Sequence, residues 1–270
     1  MENFLQQTLR KYMAELGGGK LLRGLYIAAS GMIADEIRHS VVSNNLANAN
    51  TSGYKKDVVI GQTFSEVLIS CQYKDRKAPV GRLPLGAGVI DISTKTTPGM
   101  IENTGGILDL ALDGDGFFVL ETAQGERISR QGNFQLDREG YLQTLNGDRI
   151  LGLNGPIRLD PSSFASEIKV KSDGSIYQGD LFVDRLSIVD YDSSLLIKEG
   201  NSRFTVRDGA FPAQSEAGVI QGALERSNVN VIEEMVNMIT LMRTYETEQK
   251  LVQAHNETLD KLINDLGANI

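Results

Sequence analysis

One cysteine, two histidines and no long apolar run set the first limits on this 270-residue chain. A single thiol, Cys71, allows no internal disulfide and no cysteine-based metal cluster. It is expected to be buried and inert. Any Ser-His-Asp arrangement must draw on His39 or His255. Both fall on segments with helical periodicity, so a helix surface or seam is the expected place for each. A membrane-spanning helix needs about 18 or more successive apolar residues, and no such run occurs. Residues 1–20 lack the continuous apolar core of a secretory signal, so work outside the cytoplasm requires another export route. A phosphate-binding glycine loop and a dinucleotide fingerprint are also missing. Asp113-Gly-Asp-Gly116 matches only the start of a calcium loop. Phe117 and Gln124 stand where the fifth and twelfth positions need oxygen ligands, so a tight turn is expected. The net charge of −8 argues against a nucleic-acid partner. No residue is assigned to catalysis, a cofactor or a metal, and no enzymatic activity is expected.

Two apolar stripes at opposite ends of the chain are what remains. Near the front, Leu22, Tyr26, Ala29, Ile33, Ile37 and Val41 recur at steps of three and four. At the back, Val231, Met235, Met238, Met242, Tyr245, Val252, Leu259, Ile263 and Leu266 do the same. Such spacing is that of a coiled-coil seam, which no lone helix can bury. The ends are expected to pack on each other, on copies of themselves, or both. Residues 1–56 hold seven Lys/Arg against four Asp/Glu, and residues 225–270 hold four against eight. Opposite signs favour encounter and register between the ends more than stability.

The intervening sequence reads differently. The first helix is expected to stop at Asn44, Asn45, Asn48 and Asn50, whose side chains compete for backbone hydrogen bonds, and at Gly53. Residues 57–100, with Pro79, Pro84 and Pro98, read as short strands and extended segments. Residues 101–225 read as a central all-β domain, a single antiparallel sheet domain of Greek-key or sandwich character. Leu108–Val119 is expected to form a strand pair broken at Asp113–Gly116. Gln124-Gly125, Asp137–Gly140, Asn146-Gly147, Asp173-Gly174 and Asp208-Gly209 are expected turns. A second helix starts after Asn230, with Glu233 completing a capping-box pattern, and runs to about Leu266, ~50 Å at 1.5 Å per residue. The fold class is therefore α+β: N- and C-terminal helices (21–56 and 226–270) form a coiled-coil-like α domain, and the β domain is inserted between them. Residues 1–20 are an N-terminal extension. They read either as native or as a translated ribosome-binding site ahead of a TTG start codon at Leu21 or Leu22.

Three blocks carry a family resemblance. Gly24–Met32 followed by Ser43-Asn-Asn-Leu-Ala-Asn-Ala-Asn-Thr-Ser-Gly-Tyr-Lys55 resembles the N-terminal signature of bacterial flagellar rod and hook proteins. Leu108–Phe118 and Arg130–Asp137 are similar to its central motifs. Gly222–Asn230, Met235–Ile239 and Arg243-Thr-Tyr-Glu246 resemble its C-terminal signature. Within that family the chain is most similar to the rod subgroup of proximal- and distal-rod proteins. The resemblance implies a structural subunit of the flagellar basal-body rod. Such a subunit is exported through the flagellar type III apparatus and polymerises with copies of itself and other axial proteins into a helical tubular drive shaft that carries torque to the hook. Residues 1–20 have no counterpart in the family pattern. By the match, Asn44, Asn45, Asn48, Ser227, Asn228 and Glu246 join the two stripes as expected assembly contacts. The alternatives are a hook or hook-junction component and a secreted adhesin with helical oligomerisation ends.

Overall fold

A computed structural model describes residues 21–63, 67–73, 76–83, 87–160, 168–207, 209–215 and 217–267; side chains 21–23, 62–90, 259 and 262–267 are left out of the account. Cys71, Leu22, Leu259, Ile263 and Leu266 fall among those side chains, and residues 1–20 and Asp208 lie outside the described residues altogether. The architecture is α+β, with helix α1 (Leu21–Ala47) and helix α2 (Val231–Gly267) flanking a β-rich centre. The chain divides into two compact units. One holds the described residues up to Ser43, then Val59–Ile92 and the residues from Met235 onward. The other holds Asn44–Val58 and Ser93–Glu234.

The second unit is built on strand Phe117–Thr122. Its apolar run Phe117-Phe118-Val119-Leu120 is unbroken because both faces are covered. Phe118 and Leu120 enter one core cluster with Phe134, Leu142, Ile150 and Ile176, while Phe117 and Val119 enter another with Ile128 and Phe204. Successive side chains of a strand point to opposite faces, so one strand serves two cores. Edge-on ring pairs tie each side: Phe118 to Phe134 at 5.4 Å and Phe117 to Phe204 at 5.7 Å. Around this strand the largest sheet runs Leu196–Gly200, Arg203–Val206, Gly125–Ser129, Phe117–Thr122, Arg149–Gly152, Leu142–Thr144, Phe134–Leu136. Neighbours along that path are antiparallel.

One expectation for this region needs correcting. Strands Leu110–Asp113 and Phe117–Thr122 do not pair with each other. The first pairs with Gly218–Gln221 and the second with Gly125–Ser129 and Arg149–Gly152. The link between them carries Gly114 at φ 121° and Gly116 at φ 146°, and it moves the chain between sheets instead of folding it back. The region is made of several sheets. Ile168–Val170, Ser175–Gln178 and Leu181–Arg185 form a separate three-stranded sheet, and Ala223–Glu225 pairs with Ile101–Asn103. Turns do fall at Gln124-Gly125, Asp137–Gly140, Asn146-Gly147 and Asp173-Gly174. Gly125, Gly140, Gly147 and Gly174 all have positive φ there.

In the other unit α1 and α2 meet through small residues. A Cβ on Gly24 would lie 3.4 Å from the His255 ring, and one on Gly31 would lie 2.5 Å from a Glu248 carboxylate oxygen. The face that α1 buries within the unit shares Val41 with the apolar stripe and is otherwise set by smaller side chains. Ala28, Ala34, Asp35 and Val41 are buried, whereas Ala29 and Ile33 face outward, Ile33 at 60% exposure. Glycine and alanine let two backbones approach, and the bulkier Ile33 is left outside that contact. The unit also contains the hairpin Val67–Tyr73 with Arg76–Leu83.

Candidate assembly site

The two signature ends of the chain meet in the β-containing unit, at a cluster of buried charges. After α1 the chain turns at Asn48–Ser52, and Gly53, at φ 67°, reverses it. This delivers Tyr54 and Lys55 to the interior, where both are buried. Lys55 Nζ lies 2.5 Å from Glu225 Oε1 and donates to the Thr97 carbonyl at 2.9 Å. Arg130 Nη1 donates to Glu225 Oε2 at 3.1 Å, and its Nη2 donates to the Gly114 carbonyl at 2.7 Å. The Gly99 amide gives Glu225 a further bond at 2.8 Å. Three ionised side chains, each no more than 2% exposed, share this core. Burial depresses the Lys55 ammonium below its ordinary range, and the Glu225 carboxylate opposes that shift.

A second layer surrounds the cluster. Lys198 Nζ donates to Asp57 Oδ2 and to the Lys55 carbonyl, both at 2.8 Å, and lies 3.8 Å over the Tyr54 ring. Burial, with the Asp57 charge beside it, pushes the Tyr54 phenol well above its usual range. Tyr54 donates to Asn45 Oδ1, which also accepts from the Asp57 amide, while Asn45 Nδ2 donates to the Asp57 carbonyl. Lys56 pairs with the buried carboxylate of Glu234 at 2.5 Å. Asn228 closes the ring of bonds. Its Oδ1 accepts from the Lys56 amide at 2.7 Å, and its Nδ2 donates to the Lys95 and Thr97 carbonyls.

The expected site residues thus fall in two settings. Asn45 is fully buried and bonded within the chain, and Asn228 likewise spends its amide on internal backbone groups. Asn48 Nδ2 donates to the Asn44 carbonyl, and Ser227 Oγ accepts from the Val229 amide. Asn230 caps α2 by accepting from the Ile232 and Glu233 amides. The stripe residues of the helices stand mostly in the open. Val231, Met235, Met242, Tyr245 and Glu246 are exposed; Tyr26, Ile37, Met238 and Val252 are partly covered; Val41 is buried. Further apolar exposure comes from Ile232, Val236 and Ile239, 75%, 56% and 54% accessible.

Between the helices a cavity of about 380 Å³ is lined by Asp35, His39, Met242, Tyr245 and Glu246 among others. One turn away, burial and the nearby Asp35 charge raise the Glu248 carboxyl above its usual range, and Arg38 opposes them. Lys55, Arg130 and Glu225 had not been singled out from sequence. Each lies inside a family-like block, and that placement was the one available signal. The Asp113–Gly116 turn serves this cluster too, because its Gly114 carbonyl holds Arg130.

Comparison with known proteins gives this geometry a context. Residues 25–55 match the family described as Flagella basal body rod protein, residues 111–178 the Flagellar hook protein FlgE/F/G D1 domain, and residues 220–266 the Flagellar basal body rod FlgEFG protein C-terminal. The flagellar basal-body rod protein FlgF of Rhizobium meliloti is 35% identical, over 91% of this chain and 98% of its own length. FlgG of Bacillus subtilis is 31% identical over 90% and 99%. The flagellar hook-basal body complex protein FlhO of the same organism is 31% identical over 92% and 99%. The buried charge cluster draws one member from each matched block or its border, Lys55, Arg130 and Glu225. With helical ends, a β-rich centre and relatives along nearly its whole length, the chain belongs to the flagellar basal-body rod protein family and is a structural subunit of the basal-body rod.

Proposed function

We propose that the chain polymerises with copies of itself and with other axial proteins into a helical, tubular drive shaft, and that the terminal helices form its inner, coiled-coil-like layer. The observation that carries this reading is the apolar surface left open on α2, where Ile232, Met235, Val236, Ile239 and Met242 are each about half exposed or more. A patch of that kind on a water-soluble surface marks an interaction site. Met235 and Met242 add a deformable surface suited to non-identical neighbours. Nested helices with interior-like density give the shaft its stiffness. Export runs through the flagellar type III apparatus, and the shaft passes motor torque to the hook. The expected contacts at Asn44, Asn48, Ser227 and Glu246 belong to the same assembly, at the rims of the helical faces. A place nearer the hook is the second reading, supported by the likeness to a hook-basal body complex protein.

Sedimentation of the full chain across a concentration series tests the proposal. The wild type is expected to form large particles above a threshold concentration. Ile239→Glu with Met235→Glu is expected to keep it small at concentrations at least tenfold higher, since a few central apolar residues dominate most interfaces. Unchanged assembly by the double variant would remove the helical face from the interface.

A further inference from the structure

We propose that Asn146 is a site of spontaneous deamidation, with water as the only co-reactant, and that its twin Asn154 is held unreactive by Asp184. The tripeptide Leu-Asn-Gly occurs twice, at 145–147 and at 153–155. Asparagine is among the thermolabile side chains, and a following glycine has no Cβ to hinder attack on it. The backbone nitrogen of the glycine attacks the asparagine Cγ, and the new N–C bond forms as ammonia leaves. Water then opens the cyclic imide at either carbonyl and leaves aspartate or isoaspartate. No oxidant, reductant or metal takes part. Because the flanking residues are the same at both places, local sequence does not separate the two asparagines, and both are exposed. What differs is how each is held.

Asn146 lies in the hairpin loop between strands Leu142–Thr144 and Arg149–Gly152. Its side chain makes no hydrogen bond among the described residues. Gly147, at φ 88°, has no atom within 4 Å of the place a Cβ would take, so the reacting groups can turn without moving a neighbour. The Gly147 amide must first leave the Thr144 carbonyl, 3.0 Å away. That is one bond on an exposed loop, and such bonds open locally at little cost. Asn154 is gripped instead. Its Nδ2 donates to Asp184 Oδ1 at 2.9 Å, and its backbone amide donates to Asp184 Oδ2 at 3.2 Å. Asp184 is 6% exposed and packs against Gly152, where a Cβ would collide with Oδ2. A buried carboxylate thus fixes both the leaving amide and the backbone of the same residue. Breaking a bond to a charged acceptor lowers the open population by about tenfold or more.

Reaction at Asn146 reaches into the fold through Asp148. That carboxylate is buried and accepts from Arg203 Nη1 at 3.0 and 2.9 Å, while the Asp148 amide donates to Thr144 Oγ1 at 3.2 Å. Isoaspartate adds a backbone carbon to the loop that sets this carboxylate, and either product places a second negative charge beside it. The tie between the hairpin and strand Arg203–Val206 is the first contact that such ageing weakens.

Peptide mass spectrometry of the full chain, aged in mildly alkaline buffer made with heavy-oxygen water, tests the proposal. The heavy label marks conversion that occurs during the incubation. Asn146 is expected to convert at least about tenfold faster than Asn154, and within about tenfold of a free peptide covering residues 143–149. Gly147→Ala is expected to slow it by about tenfold or more, since a Cβ then hinders the attacking nitrogen. Asp184→Ala, checked for folding by circular dichroism, is expected to bring Asn154 up towards the rate of Asn146. If that variant unfolds, the ratio of the two rates in the wild type decides alone. Equal rates at the two positions, or an Asn146 slower than the free peptide by about a hundredfold, would overturn the proposal. A folded Asp184→Ala chain in which Asn154 stays inert would overturn the role given to Asp184.

Discussion

Glu225→Ala is expected to destabilise the β-containing unit by about 3–5 kcal/mol, the range seen when one member of a buried ionic group is removed. The carboxylate is the shared partner of Lys55 and Arg130, and all three are essentially inaccessible to water. Its loss strands two positive charges and leaves the Gly99 amide without its acceptor. Neither cation can swing out to solvent. Lys55 is pinned by the Thr97 carbonyl, and Arg130 by the Gly114 carbonyl and the Phe117 ring. A single domain is held by only ~5–15 kcal/mol in total, so the variant should be close to unfolding at 37 °C. Urea unfolding followed by circular dichroism measures the loss. Glu225→Gln separates charge from shape, since it keeps the size of the side chain and an oxygen for the Gly99 amide while removing the negative charge. It should recover only a minor part of the loss. A cost below ~1 kcal/mol for Glu225→Ala would mean that water reaches the cluster and that its charges are not buried.

Gly53→Ala is the second large effect, expected at about 2–5 kcal/mol. Two costs add. A residue with a Cβ at φ 67° carries a penalty of ~1–2 kcal/mol. In addition, the Cβ would lie 2.4 Å from the carbonyl carbon and oxygen of Arg130 and 2.5 Å from the Gln131 nitrogen. These are backbone atoms that no rotamer change can move, and overpacking of this kind typically costs ~1–3 kcal/mol. Relief by separation would also stretch the bond from the Gly53 amide to the Glu225 carbonyl, now 2.8 Å. Gly147→Ala provides the control. Gly147 has φ 88°, yet no atom lies within 4 Å of the place its Cβ would take, so only the conformational penalty of about 1 kcal/mol applies. Equal destabilisation of the two variants by urea titration would show that close approach at Gly53 contributes nothing.

The helices and turns were legible because their causes are local. Asn230 caps α2 through the amides of its own first turn, and the glycines of four expected turns take the positive φ that their positions demand. Pairing was less legible. Leu110–Asp113 and Phe117–Thr122 look like partners in sequence, but the strand that completes the first arrives about a hundred residues later, at Gly218–Gln221. Only tertiary competition decides between those choices. The helical stripe was legible as apolar, and the single chain covers only part of it: Val41 is buried and Met235 and Met242 are open. Gly24 and Gly31, which interrupt the apolar pattern, are what permit α1 to approach α2, and Ile33 is left facing outward. The charge cluster was the least visible feature. Lys55 and Glu225 are 170 residues apart, and no periodicity links two residues at that distance. Asn45 and Asn228 were marked by their motifs, and in the structure their amides bond within the chain, around the same junction.

Amide hydrogen exchange on the chain, dispersed and then assembled, tests whether the helical ends find their partners in other copies. Helices whose apolar faces lack partners open readily, because amphipathic helices are marginal alone, and exchange reports such local opening. In the dispersed chain, the amides of α2 beyond Met235 should exchange orders of magnitude faster than those of Phe117–Leu120, and assembly should bring them to comparable protection. Protection of α2 equal to that of the β core before assembly, and unchanged after it, would show that the helical ends are already satisfied within one molecule and would contradict their role between copies.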